Sequence, residues 1–294
     1  MNYRHIYHAG IFADVVKHVV LVELVLAMQR KDKGFCYLDT HAGIGRYDLR
    51  SVEAQKTLEH EEGILKVLKA EHAPEGLRRY LSIVEEANNA LDSRLRGNDV
   101  RRPREGGDPA FQFYPGSPCI AQSLLRPQDR MILNELHPED VQTLKQEFKR
   151  DAQVSIHQRD AYEFLQAVLP PAEKRGLILI DPAYEKTDEL ERLLESLQKV
   201  LKKFSNGVYA IWLPIKDQSY QDFYKNLKTH ISQEMLIAEL TLVDVPEQAF
   251  GLIGCAMIIV NPPFQLKENL QPQLEWLWDI WTNSANGKVK IDIL

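Results

Sequence analysis

Seven short apolar runs, mostly separated by helix-like stretches, constrain this chain more than any other feature. They are Phe35–Asp39, Arg130–Glu135, Gln153–His157, Gly176–Asp181, Val208–Leu213, Met235–Val243 and Cys255–Val260. Each is bounded by polar or turn residues, as buried strands are. Between them Pro138–Arg150, Ala161–Val168, Thr187–Lys203 and Gln218–His230 repeat apolar residues at three and four positions, the helical period. Strands alternating with helices predict an α/β fold with a mostly parallel sheet covered on both faces. Only a loop joins the last two runs, so an antiparallel pair is expected at that edge.

One interval is too long for a plain doubly wound sheet. A strand, its helix and the next strand need about 30 residues, whereas roughly a hundred separate Asp39 from Glu135. Glu53–Lys69 and Gly76–Ala90 read as helices, which predicts a small helical subdomain inserted over residues 51–112. Residues 1–50 then form an N-terminal segment and the start of the main domain, and 113–294 the remainder. Within the insert, Asp92–Pro109 holds five Arg, four acidic residues, three Gly and two Pro with two aliphatic side chains. Such a stretch cannot bury enough surface to order itself and reads as an exposed loop.

A net charge of −6 removes any whole-surface positive field, so contact with nucleic acid requires a local basic patch. No apolar run reaches the roughly 18 residues of a membrane span, and the polar, histidine-bearing N-terminus does not read as a signal peptide. Cys36, Cys119 and Cys255 are odd in number and far apart, which argues against a disulfide framework or a metal site and fits a cytoplasmic protein.

Four acidic signals fall at successive strand ends, where α/β sheets bind ligands. Asp39-Thr40-His41-Ala42-Gly43-Ile44-Gly45 follows the first run, and its glycines let the backbone approach a cofactor or simply make a tight turn. No third glycine completes a dinucleotide fingerprint. Glu135 can accept both hydroxyls of a ribose, or cap a helix. Asp160 can accept the amine of a cofactor's adenine, or serve as a helix N-cap. Asp181-Pro182-Ala183-Tyr184 is the sharpest signal. An Asp carboxylate and a Pro carbonyl can each accept one N–H of an exocyclic amine. That localises the lone pair and aims it for in-line attack. Tyr184 offers a face for a target base. Asn261-Pro262-Pro263-Phe264 carries a similar pattern, but at the end of a strand expected to run antiparallel. It is therefore read as a turn on the far side of the sheet.

Together with Tyr3-Arg4-His5, His8-Ala9-Gly10, Ala13–His18, Gly45-Arg46-Tyr47, Tyr114-Pro115-Gly116-Ser117-Pro118 and Glu135–Pro138, these motifs resemble the RlmJ family of bacterial 23S ribosomal RNA adenine-N6 methyltransferases. The resemblance covers nearly the whole chain outside Asp92–Pro109. It implies a Rossmann-like class I methyltransferase fold with seven strands and S-adenosyl-L-methionine as cofactor. It implies a cofactor site lined by Lys17, His18, His41, Gly43, Ser117, Glu135, Asp160, Ala161 and Asp181. Asp181, Pro182 and Tyr184 would be catalytic, and Tyr3, Lys17 and Tyr184 would meet the RNA. The partner would be 23S ribosomal RNA, protein-free or in an early assembly intermediate, met by a monomer without a metal. The family pattern is Asp-Pro-Pro-Tyr. Ala183 at its third position leaves the Pro182 carbonyl in place but frees one φ. The same chemistry on DNA, or a nucleic-acid-binding protein impaired in catalysis, are the competing readings.

Overall fold

The computed structural model describes residues 4–95, 111–247, 251–282 and 286–294. A short turn of 3-10 helix, His5–Tyr7, precedes α1 (Phe12–Gln29). Then come β1 (Cys36–Asp39), β2 (Arg46–Asp48), and the helices α2 (Val52–Thr57), α3 (Glu59–Glu62), α4 (Ile64–Lys69) and α5 (Glu75–Leu95). β3 (Phe113–Pro115), α6 (Ser117–Leu124), β4 (Arg130–Asn134), α7 (Pro138–Glu147), β5 (Val154–His157) and α8 (Ala161–Val168) follow. The chain ends with β6 (Gly176–Ile180), α9 (Glu189–Lys203), β7 (Val208–Ile215), α10 (Tyr220–His230), β8 (Met235–Thr241), β9 (Gly254–Val260), α11 (Leu266–Trp281) and β10 (Lys288–Ile293).

The main sheet has eight strands in the order β10-β8-β9-β7-β6-β1-β4-β5. β7, β6, β1, β4 and β5 are parallel, and β9, β8 and β10 close the edge antiparallel. The expected seven are all present. The eighth, β10, was missed because its Lys288-Val289-Lys290-Ile291-Asp292-Ile293 alternates polar and apolar at a half-solvated edge rather than forming a buried run. A separate antiparallel pair, β2 and β3, frames the loop after β1.

Alternation along the central strands splits the interior into two layers. Tyr37, Leu133, Leu177 and Leu179 pack on α1, α5, α6 and α11, whereas Leu38, Ile132, Ile178 and Ile180 pack on α8, α9 and α10. α1 is buried almost all round, which is why its apolar residues show no single face. The stretch Glu53–Lys69 is three short helices, broken at Leu58, which takes a positive φ, and at Gly63. Leu77, Tyr80, Ile83 and Val84 of α5 share the core of α1. α5 runs to Leu95, four residues into the expected loop 92–109. Most of that loop lies outside the described residues, as does Tyr3. Among the described residues no helix is long and apolar enough to cross a membrane.

Candidate active site

The carboxyl ends of β6, β1, β4 and β5 lie side by side, and the start of α1 comes in beneath them. Together they enclose a cavity of about 330 Å³, within the usual range for small-ligand sites. Its walls include Lys17, His18, His41, Gly43, Ser117, Glu135, Asp160, Ala161, Asp181 and Pro182. Residues from six separate stretches of sequence are thus brought together.

Lys17 joins two carboxylates. Its Nζ donates to Asp181 Oδ2 at 2.6 Å and lies 2.8 Å from Asp14 Oδ1. Burial works against the ammonium, but Asp14 and Asp181 hold its pKa well above the ordinary lysine value, so it is a cation here. Asp14 Oδ2 also accepts from the Gly10 amide at 3.0 Å and meets His5 Nε2 at 3.1 Å. One turn on, His18 Nδ1 is 2.8 Å from the Tyr114 hydroxyl, which meets the Tyr80 hydroxyl at 2.9 Å. Burial pushes the His18 pKa down to about 3, so the ring is neutral. Its Nε2 is buried in the cavity wall without a hydrogen-bond partner.

The loop after β1 is built from within. Asp39 is fully buried and does not line the cavity. Its Oδ2 accepts from the Tyr37 hydroxyl and Ser117 Oγ, and its Oδ1 from the His41 amide. Gly43 has a φ of 60°, and a Cβ there would stand 2.1 Å from the Tyr47 hydroxyl. The glycine is thus required by the turn and by Tyr47 of β2. Its amide donates to Glu135 Oε2 at 2.8 Å, and the His137 amide donates to Oε1 at 2.8 Å. Burial raises the Glu135 pKa, with the two amides opposing. Asp160 is indeed the N-cap of α8, Oδ1 accepting from the amides of Tyr162 and Glu163, and it lines the cavity as well.

Tyr184 is placed differently from Asp181 and Pro182. It is not among the cavity-lining residues, and its hydroxyl donates to the Trp212 carbonyl at 2.5 Å. Its φ of 51° is unusual for a bulky residue. Ala183 does line the cavity, and the anchored Tyr184 next to it restrains the loop whose φ that alanine frees. Asn261, by contrast, donates to the carbonyls of Ser205 and Gly207 at the amino end of β7. The Asn261–Phe264 motif therefore lies on the opposite side of the sheet.

The family model for "Ribosomal RNA large subunit methyltransferase D, RlmJ" matches residues 32–294. The chain belongs to the RlmJ family. Ribosomal RNA large subunit methyltransferase J of Escherichia coli is 36% identical over 292 residues, covering 99% of this chain and 98% of its own. The Haemophilus influenzae protein of the same name is 36% identical over 293 residues, with the same coverages. The crystal structure of a Legionella pneumophila protein, 33% identical, superimposes with a TM-score of 0.82 over 97% of this chain and 98% of that one. The fold is thus shared with the Legionella protein along nearly the whole of both chains.

Sequence reasoning missed several wall residues of this cavity: Asp140, Tyr162, Glu189 and Arg192. Tyr114 was visible inside the Tyr-Pro-Gly-Ser-Pro motif, but only the fold shows that it holds His18. Arg192 lies on a helix face, and no spacing marks it.

Proposed function

We propose that this protein transfers a methyl group from S-adenosyl-L-methionine to the N6 amine of an adenine in the large-subunit (23S) ribosomal RNA. The observation that carries the reading is the placement of Asp181 and Pro182, at the end of β6, in one cavity with the carboxylates of Glu135 and Asp160. The cavity suits the cofactor. Glu135 has lone pairs left for two ribose hydroxyls, Asp160 can accept an adenine amine, and His18 Nε2, 3.5 Å from Asp14 Oδ1 but without a hydrogen bond, can take one. When bound, the cofactor supplies an electrophilic methyl on a sulfonium.

Asp181 then acts through Oδ1. Lys17 already holds Oδ2, which fixes the carboxylate's rotation. Oδ1 accepts one N6–H and the Pro182 carbonyl the other, so the nitrogen lone pair is turned out of conjugation toward the methyl. As methylation makes the nitrogen positive, Asp181 stabilises the charge and accepts the proton that leaves. Lys17, a cation between two carboxylates, holds Asp181 Oδ2 and leaves Oδ1 facing the amine. An adenine reaches such a cavity only when unstacked, which favours protein-free RNA or an early assembly intermediate. Three free thiols fit a reducing cytoplasm.

The test is methyl transfer from labelled cofactor to protein-free 23S RNA, beside double-stranded DNA, with nucleoside analysis. N6-methyladenosine in RNA alone is expected. Asp181→Ala should abolish it with the fold intact, and full activity in that variant would sink the assignment. Transfer to DNA instead would move the substrate class. Cofactor binding without any transfer would favour an impaired enzyme.

A further inference from the structure

Arg192 stands on the first turn of α9, facing the N-terminus of α8. Its Nη2 donates to Asp160 Oδ2 at 2.8 Å, and its Cζ lies 4.9 Å from the centroid of the Tyr162 ring. Nη1 is 4.0 Å from Glu189 Oε1, which accepts from the Tyr162 hydroxyl at 2.6 Å. The guanidinium is thus held from three sides. In turn it holds Asp160, whose other oxygen is taken by two amides of α8. Burial works against the charge of Asp160, but Arg192 and those amides keep its pKa below the ordinary value. Both Asp160 and Arg192 line the cavity.

A carboxylate held at both oxygens can accept but cannot turn. An adenine presents an N–H at C6, which a fixed acceptor takes. A hypoxanthine presents a carbonyl at C6 and an N–H at the neighbouring N1. A mobile carboxylate could follow that N1–H, or take up a proton and donate to the carbonyl. We propose that Arg192 is a positioning residue that locks Asp160 as an acceptor, so that the site selects a 6-aminopurine over a 6-oxopurine in its cofactor. The proposal rests on the reading of Asp160 as the partner of the cofactor's adenine amine.

Calorimetric titration of the full chain with S-adenosylhomocysteine and its deaminated form, S-inosylhomocysteine, tests it. The intact protein should prefer the adenosyl ligand by at least about tenfold, the scale of one charge-assisted hydrogen bond. Arg192→Ala should weaken the adenosyl ligand about tenfold and leave the inosyl ligand unchanged, so that the preference collapses. Arg192→Lys, which retains a cationic donor but loses the planar group over Tyr162, should keep a preference intermediate between the intact protein and Arg192→Ala. A preference undiminished in Arg192→Ala, or equal weakening of both ligands, would overturn the proposal, the latter because it marks a purely structural role. Asp160→Ala separates the underlying reading. If that variant binds S-adenosylhomocysteine normally, the role of Asp160 is wrong. If it binds weakly while Arg192→Ala matches the intact protein, only the role of Arg192 is. Should Arg192→Ala not yield folded protein, Arg192→Met, which keeps length but has no donor, is judged by the same two ratios.

Discussion

Replacing Lys17 by Met isolates the charge at the centre of the site. The methionine keeps the length of the side chain but withdraws the cation from Asp14 and Asp181. The side chains of Lys17 and Asp14 are 6% and 1% exposed and that of Asp181 is 17% exposed. Asp181 can regain some solvent, while Asp14 keeps the Gly10 amide, His5 and the more distant His18 Nε2 at 3.5 Å. Removing one partner of a buried pair costs about 3–5 kcal/mol. Because Asp181 relaxes, the expected loss is about 3 kcal/mol, or roughly 6 °C in the unfolding midpoint of a chain this long. The double variant Asp14→Asn/Lys17→Met leaves no buried charge at the first pair and should recover at least half. Stability against pH gives an independent sign. In the intact protein burial disfavours the charge of Asp14, but Lys17, His18 and His5 hold its pKa well below the ordinary value. Its contribution is therefore complete above the unfolded pKa of about 3.9 and lost as pH falls through the depressed folded value. Without Lys17, burial dominates and the folded pKa lies above the unfolded one. The variant should then gain stability on acidification from about pH 7 to 5, where this group leaves the intact protein flat. Thermal unfolding monitored by circular dichroism at several pH values reads both effects. A single variant within about 1 kcal/mol of the intact protein, or a double variant as unstable as the sum of the singles, would refute the reasoning.

Glu135→Ala should weaken S-adenosylmethionine by about 1.5–3 kcal/mol, the scale of charge-assisted hydrogen bonds. Unchanged affinity by calorimetry would remove Glu135 from the ribose. Tyr114→Phe takes away the hydroxyl shared by His18 and Tyr80, leaving two buried groups unsatisfied. It should lower stability by about 1–3 kcal/mol in urea unfolding, and a loss under about 0.5 kcal/mol would show that the chain of three groups carries no weight.

The seven buried strands were legible because hydrophobic runs report burial on both faces, and so were the acids at their ends, because strand termini place the ligand side of an α/β sheet. β10 escaped because an edge strand alternates. The breaks at Leu58 and Gly63 escaped because helical periodicity persists across them in sequence. Lys17 and His18 entered through the family resemblance, since an almost wholly buried helix offers no periodic sign of which residues face a site. Arg192 had no signal at all, and Asp14 stood inside the Ala13–His18 motif with no role attached. Their roles come from partners on other elements, and pairwise proximity is a property of the fold rather than of spacing.

The bond between Lys17 and Asp181 spans 164 positions of chain, and this has a consequence for how the protein comes into being. At about 5–20 residues per second, synthesis separates the two residues by roughly 8–33 s. Throughout that interval α1, apolar nearly all round, has neither β6 nor β9 to cover it, and Lys17 must remain in water. The nascent chain thus carries its most aggregation-prone helix first and its covering strands late, so chaperone dependence should track delays between α1 and β9 rather than the stability of the finished fold. Closing so long a loop also makes the Lys17–Asp181 pair one of the later contacts to form. The chain completes the carboxylate wall of its cavity and its core in the same late stage of folding.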